Sequence, residues 1–182
     1  MFKLAALLTL AAGPAFATGL DITVAGEANG TIHVDLFEDT APQHAAQIEA
    51  IAAAGGYDGV VFHRVIDGFM AQTGDVEFGK TGADLSRAGT GGSEMPDIAA
   101  EFSTDLSFER GVVGMARSQD PNSANSQFFI MFAPGPFLDG QYTIVGQVTE
   151  GMEIVDQIKR GDGPNGSVTG EPDVMTDVVV TE

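Results

Sequence analysis

The chain of 182 residues contains no cysteine, and this absence removes several chemistries at once. Without cysteine there can be no disulfide, no thiol nucleophile and no cysteine-ligated zinc site. Histidine is scarce as well, with three residues, and His33 and His44 lack the spacing typical of metal ligands. We therefore expect neither a metal site nor a cysteine mechanism.

Basic residues are also few, with 8 Lys and Arg against 26 Asp and Glu, which leaves a formal net charge of −18. Such a charge repels phosphate backbones, so nucleic acid is excluded as an expected partner. The acidic residues are scattered and form no defined carboxylate pair, which argues against glycosidase chemistry. The acidity is most simply explained as a contribution to solubility.

The longest hydrophobic run is too short to span a membrane. Lys3 is followed by the apolar stretch Leu4–Ala12, and Ala15-Phe16-Ala17 matches a small-x-small cleavage site. A membrane anchor is the alternative, but the run falls short of about 20 residues and Gly13-Pro14 interrupts it. We predict a signal peptide over residues 1–17, cleaved after Ala17.

That prediction has consequences for the rest of the chain. Residues 18–182 would form one domain, exported to a bacterial periplasm, with full secretion as the less favoured alternative and no membrane attachment after cleavage. No heptad pattern or exposed apolar helix face argues for assembly, so we expect a monomer.

The remaining pattern is that of short strands joined by tight turns, with 43% hydrophobic residues and 24 glycines. Two helices interrupt the strands, one from an N-cap at Thr40 with Pro42 in its first turn to about Ala54, the other over residues 151–160. The predicted strands are 21–25, 31–37, 60–66, 69–73, 111–116, 127–132, 142–148 and 174–181. We predict a mainly β fold, a closed eight-stranded antiparallel barrel capped by two α-helices.

An arginine stands in the middle of the apolar strand 60–66. Strand alternation puts Phe62, Arg64 and Ile66 on one face and turns His63 to the other. Asp67-Gly68 is a two-residue hairpin signal, and Met70 and Gln72 share a face of the next strand. A guanidinium, a thioether and an amide would then lie close together. Taken alone, the pattern favours an arginine whose stem merely covers apolar surface.

A second polar and aromatic group follows later in the chain. In the segment 125–130, Gln127 and Phe129 share one face while Phe128 and Ile130 share the other. The turn 137–140 adds Phe137 and Leu138. Separated aromatic rings with uncharged hydrogen-bonding groups suit an apolar groove that binds peptide.

These segments resemble the cyclophilin family of peptidyl-prolyl cis/trans isomerases. The resemblance covers nearly all of residues 20–182 and runs in the same order as in that family. It is carried by the segments 62–75, 89–92, 125–129, 137–140 and 146–151.

The resemblance implies an enzyme that acts on X-Pro peptide bonds, without cofactor or metal. The implied catalytic residues are Arg64, Gln72 and Phe69, and the implied substrate-binding residues are Met70, Ala116, Gln127, Phe129, Phe137, Leu138 and Tyr142. Phe137 stands where many eukaryotic members have tryptophan, which puts tight binding of cyclosporin-type inhibitors in doubt. Arg117 replaces an asparagine common in eukaryotic members, so peptide contacts on that side are expected to differ.

Amide chemistry is consistent with a catalytic arginine. Twisting the peptide bond costs about 18–20 kcal/mol and returns a lone pair to the proline nitrogen. The always-charged guanidinium of Arg64 can donate to that nitrogen only in the twisted state. His63 is expected to be structural, because the reaction transfers no proton and strand alternation turns its ring away from Arg64.

Three functions remain in competition at this point. The first is a catalyst of folding that acts on proline-containing, unfolded or partly folded exported polypeptides. The second is a module that uses the same groove only to bind such segments or partner proteins. The third is a lipocalin-like barrel that binds a small molecule, which fits the strand count but not the arginine-centred groove.

Overall fold

The computed structural model describes residues 18–182, and the predicted signal peptide lies outside the described residues. The strands are β1 Gly19–Ala25, β2 Gly30–Leu36, β3 Val60–Val61, β4 Arg64–Ile66, β5 Met70–Thr73, β6 Val112–Met115, β7 Phe128–Met131, β8 Ile144–Glu150 and β9 Val174–Thr181. The α-helices are α1 Pro42–Ala53 and α2 Met152–Val155, and 3-10 turns span Leu85–Arg87, Pro136–Leu138 and Pro164–Gly166. Within 18–182, no helix has both the length and the apolar character needed to cross a membrane.

The strands form one antiparallel sheet in the order β3-β9-β1-β2-β8-β6-β7-β5-β4. The two outermost strands, β3 and β4, are separated in the chain only by Phe62 and His63. The sheet therefore returns on itself, and closure leaves few exposed strand edges. The predicted mainly β fold with two helices is confirmed. There are nine strand segments rather than eight because the strand predicted over 60–66 is interrupted in its middle.

Strand alternation separates an inner face from an outer face of this sheet. Inside, Leu20, Ile22 and Val24 of β1 are buried together with Ile32 and Val34 of β2. The same core includes residues of α1 and α2, namely Ala45, Ile48, Ile51, Ala52 and Val155. On the outer face of β5, β6, β7 and β8, a second apolar cluster collects Met70, Phe108, Val112, Phe129, Met131, Leu138 and Ile144.

The start of α1 differs from the prediction. The N-cap is Ala41 rather than Thr40, and no side chain at that position caps the helix. Instead the carboxylate of Glu101 accepts hydrogen bonds from the backbone N–H groups of Gln43 at 3.2 Å and His44 at 3.1 Å. A distant carboxylate thus stabilises the helix start, where the helix dipole favours negative charge. Helix α2 is also shorter than predicted, since it spans Met152–Val155 rather than the predicted 151–160.

Candidate active site

The register of three strands brings the candidate residues together on the outer face of the sheet. Arg64 of β4 lies opposite Gln72 of β5, and Gln72 lies opposite Phe129 of β7. Residues directly opposite in antiparallel strands have Cβ atoms about 5 Å apart, so their side chains meet. The pairing confirms the predicted shared face of Met70 and Gln72, which alternate along β5. Gln127 lies one residue before β7, and its Oε1 accepts a hydrogen bond from Nε2 of Gln72 at 3.0 Å, so it lies on the side of the sheet that carries Phe129.

The turn between β4 and β5 is longer than the two residues predicted. Ile66 pairs with Met70, so Asp67, Gly68 and Phe69 form the turn. Gly68 has a φ of +67°, a conformation that glycine adopts without strain. Phe69 thus leaves the strand and lies at the edge of the cluster, with its ring centroid 5.5 Å from that of Phe137.

The guanidinium of Arg64 is held at two of its nitrogens. Nε donates to the backbone carbonyl of Asn165 at 2.9 Å, and Nη1 donates to Oε1 of Gln72 at 3.1 Å. Nη1 also lies 3.9 Å from Sδ of Met70. Within residues 18–182, Nη2 donates to no protein acceptor. Partial burial lowers the pKa of Arg64, yet a guanidinium remains charged at physiological pH.

The apolar half of the site is built on Phe129. Its ring stacks on Phe108 at 5.7 Å and meets the edge of Tyr142 at 5.9 Å. Gly114 on the neighbouring strand leaves room for this ring, because a Cβ there would lie 2.5 Å from Cζ of Phe129. Leu138 is 7% exposed and closes the same cluster from the 3-10 turn. The result is a rigid apolar surface beside the guanidinium.

Nine of the ten residues expected in the site surround one cavity of about 420 Å³. They are Arg64, Phe69, Met70, Gln72, Ala116, Phe129, Phe137, Leu138 and Tyr142. Gln127, the tenth, lines an adjoining cavity of about 460 Å³ that shares Gln72, Ala116 and Arg117 with the first. A charged donor and an apolar pocket therefore face the same space.

Two further residues of the site were not singled out as site residues from the sequence. Gln141 lines the first cavity, and its carbonyl accepts a hydrogen bond from Nη2 of Arg117 at 2.9 Å. The Arg117 guanidinium lies 4.3 Å from the centroid of the Tyr142 ring, and Arg117 lines both cavities. Asn165, whose carbonyl holds Arg64, is 101 residues away from it in the chain. The feature that distinguishes Asn165 is its φ of +55°, a backbone angle that only the folded structure reveals, so the sequence gives no signal for it.

The interruption between β3 and β4 changes one prediction. Phe62 does not share the face of Arg64, because both Phe62 and Val65 belong to the inner core. The alternation breaks at Phe62 and His63, where the chain passes between the two strand segments. The side chain of His63 is buried at 8% exposure beside Gly89, and burial lowers its pKa to about 4. None of the hydrogen bonds made by Arg64 within the described part involves His63.

The other two histidines line neither cavity of the site, and each is paired with one carboxylate. Nδ1 of His33 is 2.6 Å from Oδ1 of Asp21, and Nδ1 of His44 is 2.6 Å from Oε2 of Glu101. Within residues 18–182, no group of three or more histidine, aspartate or glutamate side chains is arranged to hold a metal ion.

Comparison with known proteins agrees with this geometry. Residues 20–180 match the model of the family described as cyclophilin type peptidyl-prolyl cis-trans isomerase/CLD. A probable peptidyl-prolyl cis-trans isomerase of Brucella suis is 58% identical over 147 residues, which are 80% of this chain and 74% of that protein.

Solved structures give the same result. A cyclophilin type peptidyl-prolyl cis-trans isomerase of Cryptosporidium parvum has a TM-score of 0.77 at 26% identity, covering 92% of this chain and 99% of that one. A structure of the same parasite protein in the presence of the dipeptide Ala-Pro has a TM-score of 0.75 at 27% identity, covering 90% and 99%. The chain therefore belongs to the cyclophilin-type peptidyl-prolyl isomerases and is a peptidyl-prolyl cis-trans isomerase.

Proposed function

We propose that this isomerase acts on X-Pro bonds of exported, unfolded or partly folded polypeptides, with Arg64 stabilising the pyramidal proline nitrogen. The observation that carries the proposal is the Arg64 guanidinium beside an apolar pocket, with Nη2 unused by any acceptor in residues 18–182. The Cryptosporidium structure with Ala-Pro supports a proline-containing segment as the occupant of this pocket.

The arrangement favours the transition state over the ground state. A planar amide nitrogen has no lone pair to accept a hydrogen bond, because resonance holds it in the C–N bond. As the bond twists, the nitrogen becomes pyramidal and can accept a donor from Arg64. An interaction that strengthens only in the transition state raises turnover and not merely affinity. Gln72 and Asn165 hold the guanidinium in place beforehand, so little reorganisation is needed.

The apolar residues would hold the proline ring while the carbonyl side of the bond rotates. Met70, Phe129 and Leu138 are buried and belong to one cluster, so they form a fixed seat. Phe137 is 63% exposed and would form the outer rim. Phe69 packs against the ring of Phe137 and would support that rim. Rotation about the X-Pro bond requires that one side be held while the other turns. Here the pocket would hold the proline ring, and the peptide segment before it would remain free to turn.

Replacement of Arg64 tests the mechanism. We expect Arg64→Ala to lower kcat/KM for a proline-containing test peptide on the order of a hundredfold, as removal of one preorganised donor does in other enzymes. Thermal stability should change little, because the side chain is partly exposed. Arg87→Ala is a matched control, since Arg87 lies over the ring of Phe78 outside the cavity. Unchanged turnover in Arg64→Ala would reject the mechanism.

The Arg64→Ala variant also separates catalysis from binding in the physiological role. If Arg64→Ala abolished isomerisation of a slowly folding exported protein but left its folding yield in cells unchanged, the groove would serve as a binding module. We expect instead that folding of such a client slows to the uncatalysed rate, in which X-Pro bonds take tens to hundreds of seconds.

Export is the second part of the proposal, and it is supported by the pattern in residues 1–17. We expect protein recovered from a periplasmic fraction to begin at Thr18, as read by mass spectrometry of the intact chain. Full-length protein confined to the cytoplasm would contradict this part and leave the isomerase mechanism untouched.

A further inference from the structure

A buried carboxylate lies behind the active site, on the loop that follows β5. Asp75 is 0% exposed. Its Oδ1 accepts hydrogen bonds from the backbone N–H groups of Glu77 at 3.1 Å and Phe78 at 2.9 Å. Its Oδ2 accepts from those of Gly89 at 2.7 Å and Gly91 at 3.0 Å. Among the described residues no basic side chain forms an ion pair with it. Backbone groups alone therefore stabilise the charge and tie both ends of the loop 76–91 together.

Gly91 connects this carboxylate to the groove. Its N–H donates to Asp75, and its carbonyl accepts a hydrogen bond from Nε2 of Gln127 at 2.8 Å. A Cβ at Gly91 would lie 2.6 Å from Oδ1 of Asp75, so only glycine fits against the carboxylate. Asp75 therefore binds the N–H of the same residue whose carbonyl binds Gln127.

From Gly91 a directed chain of hydrogen bonds leads to the catalytic arginine. Oε1 of Gln127 accepts from Nε2 of Gln72 at 3.0 Å, and Oε1 of Gln72 accepts from Nη1 of Arg64 at 3.1 Å. Each amide has one acceptor end and one donor end, so its orientation is decided by its neighbour. If the Gly91 carbonyl moved away, Gln127 and then Gln72 could rotate. An amide N–H of Gln72 would then face the guanidinium, donor against donor.

We propose that Asp75 is a positioning residue that keeps Gln72 oriented as the acceptor for Arg64, acting through Gly91 and Gln127. The inference rests on the proposed role of Arg64. The competing explanation is that Asp75 only anchors the loop 76–91. The two explanations differ in their effect on the side-chain amides of Gln72 and Gln127. A positioning residue controls their hydrogen bonds, whereas an anchor of the loop need not.

Asp75→Asn is the principal test, because asparagine has the shape of aspartate but carries an NH2 group in place of one carboxylate oxygen. That group cannot accept the two hydrogen bonds of the lost oxygen, and its own donors would face backbone N–H groups. We expect kcat to fall about tenfold, the size of one hydrogen bond or about 1.4 kcal/mol, with KM changing by less than about twofold. The ¹H–¹⁵N side-chain amide resonances of Gln72 and Gln127 should shift. Asp84→Asn is the matched control on the same loop, where, within residues 18–182, the carboxylate of Asp84 has Ser86 as its sole hydrogen-bond partner. It should leave kcat and both amide resonances unchanged.

Gly91→Ala provides a test that preserves the buried carboxylate, should Asp75→Asn fail to fold. The added Cβ would displace the Gly91 peptide from Asp75, so the same loss of kcat and the same shifts of the amide resonances are expected. A folded variant with wild-type kcat or unshifted Gln72 and Gln127 resonances would overturn the inference.

A double-mutant cycle separates positioning from loop anchoring. Gln127→Ala removes the link between Gly91 and Gln72 in this series of hydrogen bonds. In that background, adding Asp75→Asn should cause no further loss of kcat, and neither should adding Gly91→Ala instead. Losses that multiply to about a hundredfold would show that Asp75 acts by another route. The result for Arg64→Ala stands apart: if that variant retained turnover, the proposed mechanism would fail, whatever the amide resonances showed.

Discussion

His63 makes a quantitative prediction about the pH dependence of stability. Its ring is 8% exposed, and neither ring nitrogen has a hydrogen-bond partner among the described residues. Burial lowers its pKa from 6.5 to about 4, against the attraction of nearby Asp75, which raises it. The folded protein therefore holds His63 neutral at pH values where the unfolded chain has already bound a proton.

The sign and size of the effect follow from proton linkage. Between about pH 6.5 and 4 the unfolded state binds more protons at this position, so the free energy of unfolding decreases as the pH falls. At about 1.4 kcal/mol per pKa unit, the contribution of His63 to this loss is about 3 kcal/mol. The contribution levels off below about pH 4, where both states are protonated.

Urea unfolding of the wild type and of His63→Gln at pH 7, 5.5 and 4 measures this contribution. The substitution itself changes the free energy of unfolding by an amount that does not depend on pH. The informative quantity is therefore how the difference in free energy of unfolding between the two proteins changes with pH. We expect that difference to change by about 3 kcal/mol in favour of the variant from pH 7 to pH 4. Parallel pH profiles would refute the view that His63 is buried and neutral. Because His63 makes no hydrogen bond to Arg64, kcat at pH 7 should remain near that of the wild type.

Two other changes test the helix cap and the rim of the pocket. Burial raises the pKa of Glu101, but the hydrogen bonds from His44 and Gln43 outweigh it and give a net lowering from 4.5. Glu101→Gln should therefore destabilise the protein by about 1 kcal/mol at neutral pH, and the difference should shrink as the pH falls below about 4.5, as followed by thermal unfolding. Phe137→Ala should raise KM for a proline peptide severalfold while Tm stays nearly unchanged, because the ring is 63% exposed. An unchanged KM would remove Phe137 from the pocket.

Several features of the site follow from the sequence alone because they depend on local periodicity. Alternation predicts that Met70 shares a face with Gln72 and Gln127 with Phe129, and the structure has both pairs, the second through the hydrogen bond from Gln72 to Gln127. Side chains alternate with a period of two in any strand, so the local sequence decides which residues face the same way. The ordered motifs then indicate the family and its reaction.

Alternation fails where the strand itself is interrupted. Phe62 is predicted on the face of Arg64 but lies in the inner core, because the chain leaves β3 and enters β4 across Phe62 and His63. The two segments pair with different strands, β9 and β5. No local pattern marks this break, since the pairing partners lie far away in the chain.

Only the tertiary structure decides the long-range contacts that orient the site. Asn165 reaches Arg64 across 101 residues, Gln127 reaches Gln72 across 55, and Glu101 reaches His44 across 57. Each of these contacts consists of one or two hydrogen bonds worth about 1 kcal/mol apiece, and such isolated contacts leave no periodic pattern in the sequence. The sequence by itself thus determines which side chains share a face and what chemistry they carry. The tertiary structure determines the long-range partners, because Asn165 and Gln127 reach the β4–β5 hairpin from distant parts of the chain, whereas Gln72 meets Arg64 within the hairpin itself.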